Sequence, residues 1–327
     1  MQFKKPIRWG IIGCGNVTEL KSGPPYQLTP DFELKMVMRR NKAKVKDYAL
    51  RHQVPYYTTD ADELINNPEI DAIYIATPPD THKFYALKVA QAKKPCCVEK
   101  PMAPCYKDSL AIYEAFKSQN IPLFIAYYRR SLPRFLKIKE WLDDHKIGEV
   151  RHLSWLKTRT ASPIDLSGTY HWRTDSAIAP GGYFDDLASH GLDLFCFLLG
   201  EVKEATGIAT NQLGLYSAND AITGSWMHKN GIIGTGTWNF GSHEPKDEVV
   251  ITGDKGEITF SVLDEAPVTL VNKNERLMLT IPHPKHVQEF HVLNIKKHLF
   301  GEAVHPSTGE SGLHTSWVMD KILGVIN

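Results

Sequence analysis

The apolar positions of the first 126 residues fall into short runs at regular spacing, over 7–12, 34–38, 54–57, 71–76, 96–99 and 121–126. Largely apolar runs of this length suit strands buried on both faces of a parallel sheet. Helical stretches separate most of them, over 44–52, 60–66, 83–92 and 107–118, the second capped near Asp60. Strand and helix in alternation predict an α/β domain, a doubly wound parallel sheet with helices on both faces. The helix after the first strand is expected to be short or bent, because Gly23-Pro24-Pro25 interrupts it.

Near Tyr127 the pattern changes. A helix over 134–145 places Phe135, Ile138 and Leu142 on one side, and a strand follows over 150–160. After a loop rich in Ser, Gly and Thr comes a helix over 184–199. Extended runs then recur over 222–227, 232–238, 248–252, 257–261 and 268–272, separated by turns such as Lys229-Asn230-Gly231 and Gly253-Asp254-Lys255-Gly256. Such turns between strands are hairpin signals. The second half is read as an α+β domain, an open antiparallel sheet half covered by the 184–199 helix and closed by helices over 286–300 and 312–326. The domains predicted are 1–126 and 127–327, with the last helix free to pack back on the first domain.

A chain of 327 residues exceeds what one core usually serves, which agrees with two domains. Its formal net charge of +1 gives no global field that favours nucleic acid or a membrane surface, so neither is expected as a partner. Five cysteines, an odd number without metal-ligand spacing, point to a reducing compartment and a cytoplasmic protein. The first residues lack the apolar stretch of a signal peptide, and no run reaches the length of a membrane span. No metal site is expected, and His283, His286 and His291 read as surface histidines.

Candidate chemistry clusters at predicted strand ends. Gly13-Cys14-Gly15-Asn16-Val17 follows the first strand, where glycines two apart let a backbone approach a pyrophosphate. Thr18 stands in place of a third glycine, and a plain turn is the competing reading. The second strand ends Arg39-Arg40-Asn41. An NAD site usually carries an acid there, whereas a guanidinium forks onto a 2′-phosphate, so this ending favours NADP. The competing reading is a basic surface turn. Thr77-Pro78-Pro79 makes a rigid loop at the ligand edge, and His82 is either a ligand residue or the polar start of a helix. Val98-Glu99-Lys100-Pro101 places a carboxylate and an amine at the carboxyl edge of the sheet, where open α/β folds bind ligands. Asp186 and His190, four apart, share a helix face as an acid–base pair would. The competing reading makes Asp185 or Asp186 an N-cap and His190 a packed residue.

In order, G-C-G-N-V, A-T-P-P-D-T-H, V-E-K-P, W-R and G-G-Y-F-D-D-L-A-S-H-G-L-D resemble the family named after glucose–fructose oxidoreductase, inositol dehydrogenase and a rhizopine-catabolism protein (Gfo/Idh/MocA). The resemblance spans nearly the whole chain. It implies a Rossmann domain, an open-sheet second domain and a site at their junction. It also implies hydride transfer between NAD(P) and a carbinol of a sugar, cyclitol or diol, and a homo-oligomer, dimer or tetramer. Lys100 matches the family's lysine beside the reacting oxygen, ahead of an often-cis Pro101. Asp186 and His190 match the acid–base and orienting pair, while Trp172 and Arg173 match a stretch that approaches the cofactor. Glu99 is assigned to the cofactor side. The chain departs from the family pattern at Thr18, at Arg39 and at Pro180, which replaces the first of three glycines. Two other functions remain open for such a fold, a non-catalytic NAD(P)-sensing regulator and an NAD-dependent glycosidase. Retention of Lys100, Asp186 and His190 favours an enzyme.

Overall fold

The computed structural model describes residues 4–326. Two compact units divide the chain, one within Met1–Leu132 and Pro284–Leu313, the other within Pro133–His283 and His314–Asn327. The Gly309–Ile322 helix therefore begins in the first unit and ends in the second. No helix among the described residues is long and apolar enough to cross a membrane.

The first unit is a six-stranded sheet of β1 (Ile7–Ile12), β2 (Phe32–Met38), β3 (Tyr56–Thr58), β4 (Ala72–Ile75), β5 (Cys96–Val98) and β6 (Leu123–Ile125). All pairings are parallel, in the order β3-β2-β1-β4-β5-β6. Successive side chains alternate between two cores. Ile73, Ile75, Cys96 and Val98 enter one, and Trp9, Tyr74, Cys97 and Phe124 the other. The chain order reverses between β1 and β4, which places a topological switch point where their loops leave the sheet. The helix after β1 is short, Asn16–Leu20, and a separate turn of helix, Pro25–Leu28, follows the proline pair.

The Glu289–Leu299 helix covers the second core with Val292, Ile295 and Leu299. This corrects the expectation of surface histidines. His291 is fully buried with Nε2 3.6 Å from Cys97 Sγ, and His286 is buried with Nδ1 2.6 Å from the Leu20 carbonyl. The histidines share this segment with the apolar residues that dock it, so one packed face carries both.

The second unit is an eight-stranded sheet of β7 (Val150–Thr158), β8 (Val202–Thr210), β9 (Ala221–His228), β10 (Ile233–Asn239), β11 (Lys246–Gly253), β12 (Gly256–Phe260), β13 (Val268–Asn272) and β14 (Arg276–Leu279). Its order is β14-β13-β12-β11-β7-β10-β9-β8. The sheet is antiparallel except that β7 and β10 run parallel. That exception arises because the chain leaves β7 through a helix and returns by β8 and β9, arriving beside β7 in its own direction. The edge strands β8 and β14 lacked a sequence signal. Each has one neighbour and mostly polar or half-exposed residues.

The Tyr183–Leu199 helix packs on one face of this sheet. Phe184 meets Trp238 edge-on at 4.8 Å, and Phe195 meets Trp155 at 5.5 Å. Gly191 permits that approach, since a Cβ there would lie 2.3 Å from the Trp155 ring. Gly191→Ala is therefore expected to destabilise the second unit by about 1–3 kcal/mol through overpacking. A denaturant midpoint equal to that of the parent protein would show that the ring moves aside without loss.

Candidate active site

At the switch point, three loops of the first unit are tied together. Gly13 has φ +93, and its N–H and that of Cys14 donate to the Met38 carbonyl at 2.9 and 3.2 Å. A Cβ at Gly13 would lie 2.6 Å from Thr77 Cγ2 and 2.9 Å from the Ala76 backbone, so only glycine fits between the loops. At Gly15 the nearest atom to a Cβ is 3.8 Å away, which leaves that side of the loop open. The helix that starts at Asn16 and Val17 has no side-chain cap. Thr18 fits the crowded third position, because it is fully buried, its hydroxyl donates to the Gly15 carbonyl at 2.8 Å, and its own carbonyl accepts from Tyr48.

Arg39 leans onto the same loop, with Nη1 donating to the Cys14 carbonyl at 3.2 Å. Arg40 is exposed, and Asn41 caps the next helix by accepting from Lys44 N–H at 3.0 Å. Burial pushes the Cys14 thiol up to about 11, so it stays neutral beside Arg39. Thr77 is half-buried and Pro78 exposed next to this loop.

The turn after β5 is built around a buried carboxylate. Glu99, 7% exposed, accepts at Oε1 from the Tyr74 hydroxyl at 2.5 Å and from Gln288 Nε2 at 2.6 Å. Its Oε2 accepts from the Lys100 N–H at 3.2 Å. The Lys100–Pro101 peptide is cis. His82 braces this turn from behind. It is fully buried, with Nδ1 3.1 Å from the Pro101 carbonyl and Nε2 2.8 Å from the Thr77 carbonyl. Burial pulls its pKa below the usual range, against the two carbonyls, which favour the charged ring. Each ring nitrogen faces a carbonyl, and the one N–H of the neutral ring donates to one of them, so His82 fills the space between the Thr77 loop and the Pro101 turn.

In the second unit the helix begins at Tyr183, one residue before the expected start. Gly182, at φ +63, is the N-cap, a position expected for Asp185 or Asp186. Asp185 instead reaches back to accept from the Gly181 N–H at 3.0 Å. Burial pushes its carboxyl up to about 7, opposed by that N–H and reinforced by Asp320 and Asp186. Asp186 accepts from Arg173 Nε at 2.7 Å, and the Arg173 guanidinium sits 4.1 Å from the Trp172 ring. His190, one turn on from Asp186, is 6% exposed. Thus Trp172, Arg173 and Asp186, which the sequence had separated, form one connected group, with His190 on the same helix.

Sequence reasoning missed the supports of both groups. Tyr74 read as an ordinary strand residue, and Gln288 lies 189 positions from Glu99. Asp165 gave no signal either. It accepts from Arg159 at 2.7 Å, from the Tyr183 hydroxyl at 2.6 Å and from Ser162 N–H at 2.7 Å.

A family model described as an oxidoreductase family with an NAD-binding Rossmann fold matches residues 7–127. A second, for the GFO/IDH/MocA C-terminal domain, matches residues 135–259. The chain belongs to the Gfo/Idh/MocA family of oxidoreductases. It is 39% identical to Oxidoreductase P35 of Formosa agariphila over 97% of this chain and 98% of that one. It is 26% identical to a myo-inositol 2-dehydrogenase of Thermotoga maritima over 61% of this chain and 56% of the relative. Its fold is that of a levoglucosan dehydrogenase solved with NADH and levoglucosan, at a TM-score of 0.82 and 21% identity, covering 97% of this chain and 96% of the other. Membership of this Gfo/Idh/MocA family makes the protein an oxidoreductase with an NAD-binding fold.

The elevated Asp185 carboxyl makes stability depend on pH. With its folded value near 7 and an ordinary value near 4, the folded oxidoreductase holds more protons than the unfolded chain across that window, so stability falls as pH rises through it. Asp185→Asn keeps an acceptor for Gly181 and removes the titration. Its Tm should decline less than that of the parent between about pH 5 and pH 8. Parallel Tm profiles would remove Asp185 as the source.

Proposed function

We propose that this oxidoreductase is an NADP-preferring dehydrogenase or reductase acting on a CH–OH group of a sugar, cyclitol or diol. The observation that carries the reading is the Glu99–Lys100–Pro101 turn, whose buried carboxylate is held from two sides so that the next residue is Lys100. The named relatives support the substrate class, since they include inositol and levoglucosan dehydrogenases.

The loops of the first unit fit a dinucleotide. Gly13 brings them together, Gly15 leaves room for backbone approach, and Asn16 and Val17 offer uncapped N–H groups to a pyrophosphate. When bound, the nicotinamide gives or takes the hydride. Arg39 supports NADP over NAD, because the end of β2 carries no acid and Nη1 alone is bonded to Cys14, which leaves the rest of the fork for a 2′-phosphate. Arg40 and the Thr77-Pro78 loop flank this place, Glu99 serves the cofactor side, and Trp172 and Arg173 are assigned to the cofactor as well.

Lys100 is assigned the reacting oxygen, where an ammonium stabilises developing negative charge and exchanges the carbinol proton. His190 is assigned the next step of that proton's path, with Asp186 setting its orientation and Arg173 fixing Asp186. Five free cysteines support a reducing, cytoplasmic location. Exposed Ile208 and Ile233 on the second sheet support a homo-oligomer.

Fluorescence titration tests the cofactor assignment. NADPH is expected to bind more tightly than NADH, and Arg39→Ala to weaken NADPH by about 10–100-fold with little effect on NADH. Equal affinities in the parent protein would end the NADP reading. Lys100→Ala should lower turnover on polyols by roughly 10²–10⁴-fold while NADPH still binds. Undiminished turnover would remove Lys100 from the chemistry.

A further inference from the structure

Among the described residues of the second unit, Lys157 is a buried cation that joins no ion pair. Strand alternation puts Leu153, Trp155, Lys157 and Arg159 on the face of β7 that the Tyr183–Leu199 helix covers. Trp155 lies against Gly191 and Phe195, and the Arg159 guanidinium stacks 3.7 Å from the Tyr183 ring centroid. Four strand residues and eight helical residues each span about 12–13 Å. Lys157 therefore stands level with the part of the helix between Tyr183 and Gly191, which carries Asp186 and His190.

Lys157 is 8% exposed, yet no hydrogen bond or ion pair joins its ammonium to another described residue. The ammonium is not wholly occluded, in contrast to Arg159 Nε and Trp238 Nε1, which are buried without a partner. The stem is thus packed and the charged tip open, as in a snorkelling lysine.

The nearby carboxylates are engaged elsewhere. Asp247, its register partner on β11, accepts from Trp155 Nε1 at 2.9 Å, Ser261 Oγ at 2.6 Å and Leu263 N–H at 2.5 Å. Asp165 holds Arg159, and Asp186 holds Arg173. An ammonium has three donors and no acceptor, so this open tip is free to take an anion. A neutral polyol needs only neutral donors, whereas a single unmatched positive charge suits a single negative one.

We propose that Lys157 anchors a carboxylate on the substrate, so that the carbinol oxidised or formed belongs to a sugar acid. This inference rests on the oxidoreductase reading of the same site and names its substrate class. Lys157 is then a specificity-determining residue, and the hydride and proton steps stay with the groups assigned above.

The test compares D-glucuronate, D-galacturonate and D-gluconate with D-glucose, D-galactose and D-glucitol, with glucose 6-phosphate as a dianionic control, on the NADP(H)-saturated protein. Both kcat/KM and direct calorimetric binding are read. The acids are expected to be preferred. Lys157→Met should cut kcat/KM for the best acid by at least about 30-fold, mostly through KM, and lower it for neutral sugars far less, so that the acid preference is lost. Lys157→Arg should retain most of the acid preference, which separates lost charge from lost folding. Preference for neutral sugars or for glucose 6-phosphate, or acid binding unaltered in Lys157→Met, would overturn the proposal. Two outcomes separate it from the wider reading. Turnover of the acids that is as fast in Lys157→Met as in the parent protein sinks the carboxylate anchor alone. Acid binding that needs Lys157, without turnover of any compound, leaves the anchor standing and sinks the redox assignment.

Discussion

A single buried carboxylate fixes the geometry of the first unit's ligand edge. Glu99 sits at the end of β5 with one oxygen shared by Tyr74 and Gln288 and the other turned to the Lys100 N–H. A charge at that depth is tolerated only when it is hydrogen-bonded, and removing one donor would strand it. The arrangement therefore requires Tyr74 to rise from β4 and Gln288 to return from the far end of the chain. It also explains why the segment at Pro284–Leu313 belongs to the first unit. Its helix closes the apolar core with Val292 and Ile295, and the residue just before that helix completes the carboxylate's shell.

The consequence for chemistry is rigidity where rigidity matters. Lys100 has a flexible side chain, but its backbone is pinned on one side by the Glu99 contacts and on the other by His82, which grips the Pro101 carbonyl. His82 also holds the Thr77 carbonyl, and Gly13 packs directly against Thr77. The glycine loop, the Thr77 loop and the lysine turn are thus links of one chain of contacts. Displacing the Thr77 loop would disturb both the glycine loop and the lysine turn.

Much of this was legible in the sequence, and the reasons are local. The parallel strands were found because burial on both faces makes them uniformly apolar. The switch-point loop was found because Gly13 and Gly15 follow such a strand. Helical spacing put Asp186 and His190 on one helix, where the structure has them. What escaped were features that depend on long-range pairing. Gln288 carries no mark of its contact with Glu99, the edge strands β8 and β14 are too polar to announce themselves, and the parallel β7–β10 pair follows from chain routing. Asp186 showed its helical neighbour His190 in the sequence but not its partner Arg173, which comes from a loop.

That last pairing alters the electrostatics of the second unit. Read as a bare carboxylate, Asp186 would leave the stretch around His190 negative, a poor place for an acidic ligand. With Arg173 on Asp186 and Arg159 on Asp165, both negative charges are matched. Asp185, with its carboxyl pushed up to about 7, is in part neutral near physiological pH and adds less than a full charge. Asp247 is spread over four donors of its own. Lys157, buried beside Asp247, joins none of these pairs. An open, unpaired ammonium gains an ion pair when an anion arrives and nothing comparable from a neutral hydroxyl, so selectivity between an acid and its neutral analogue follows from that charge.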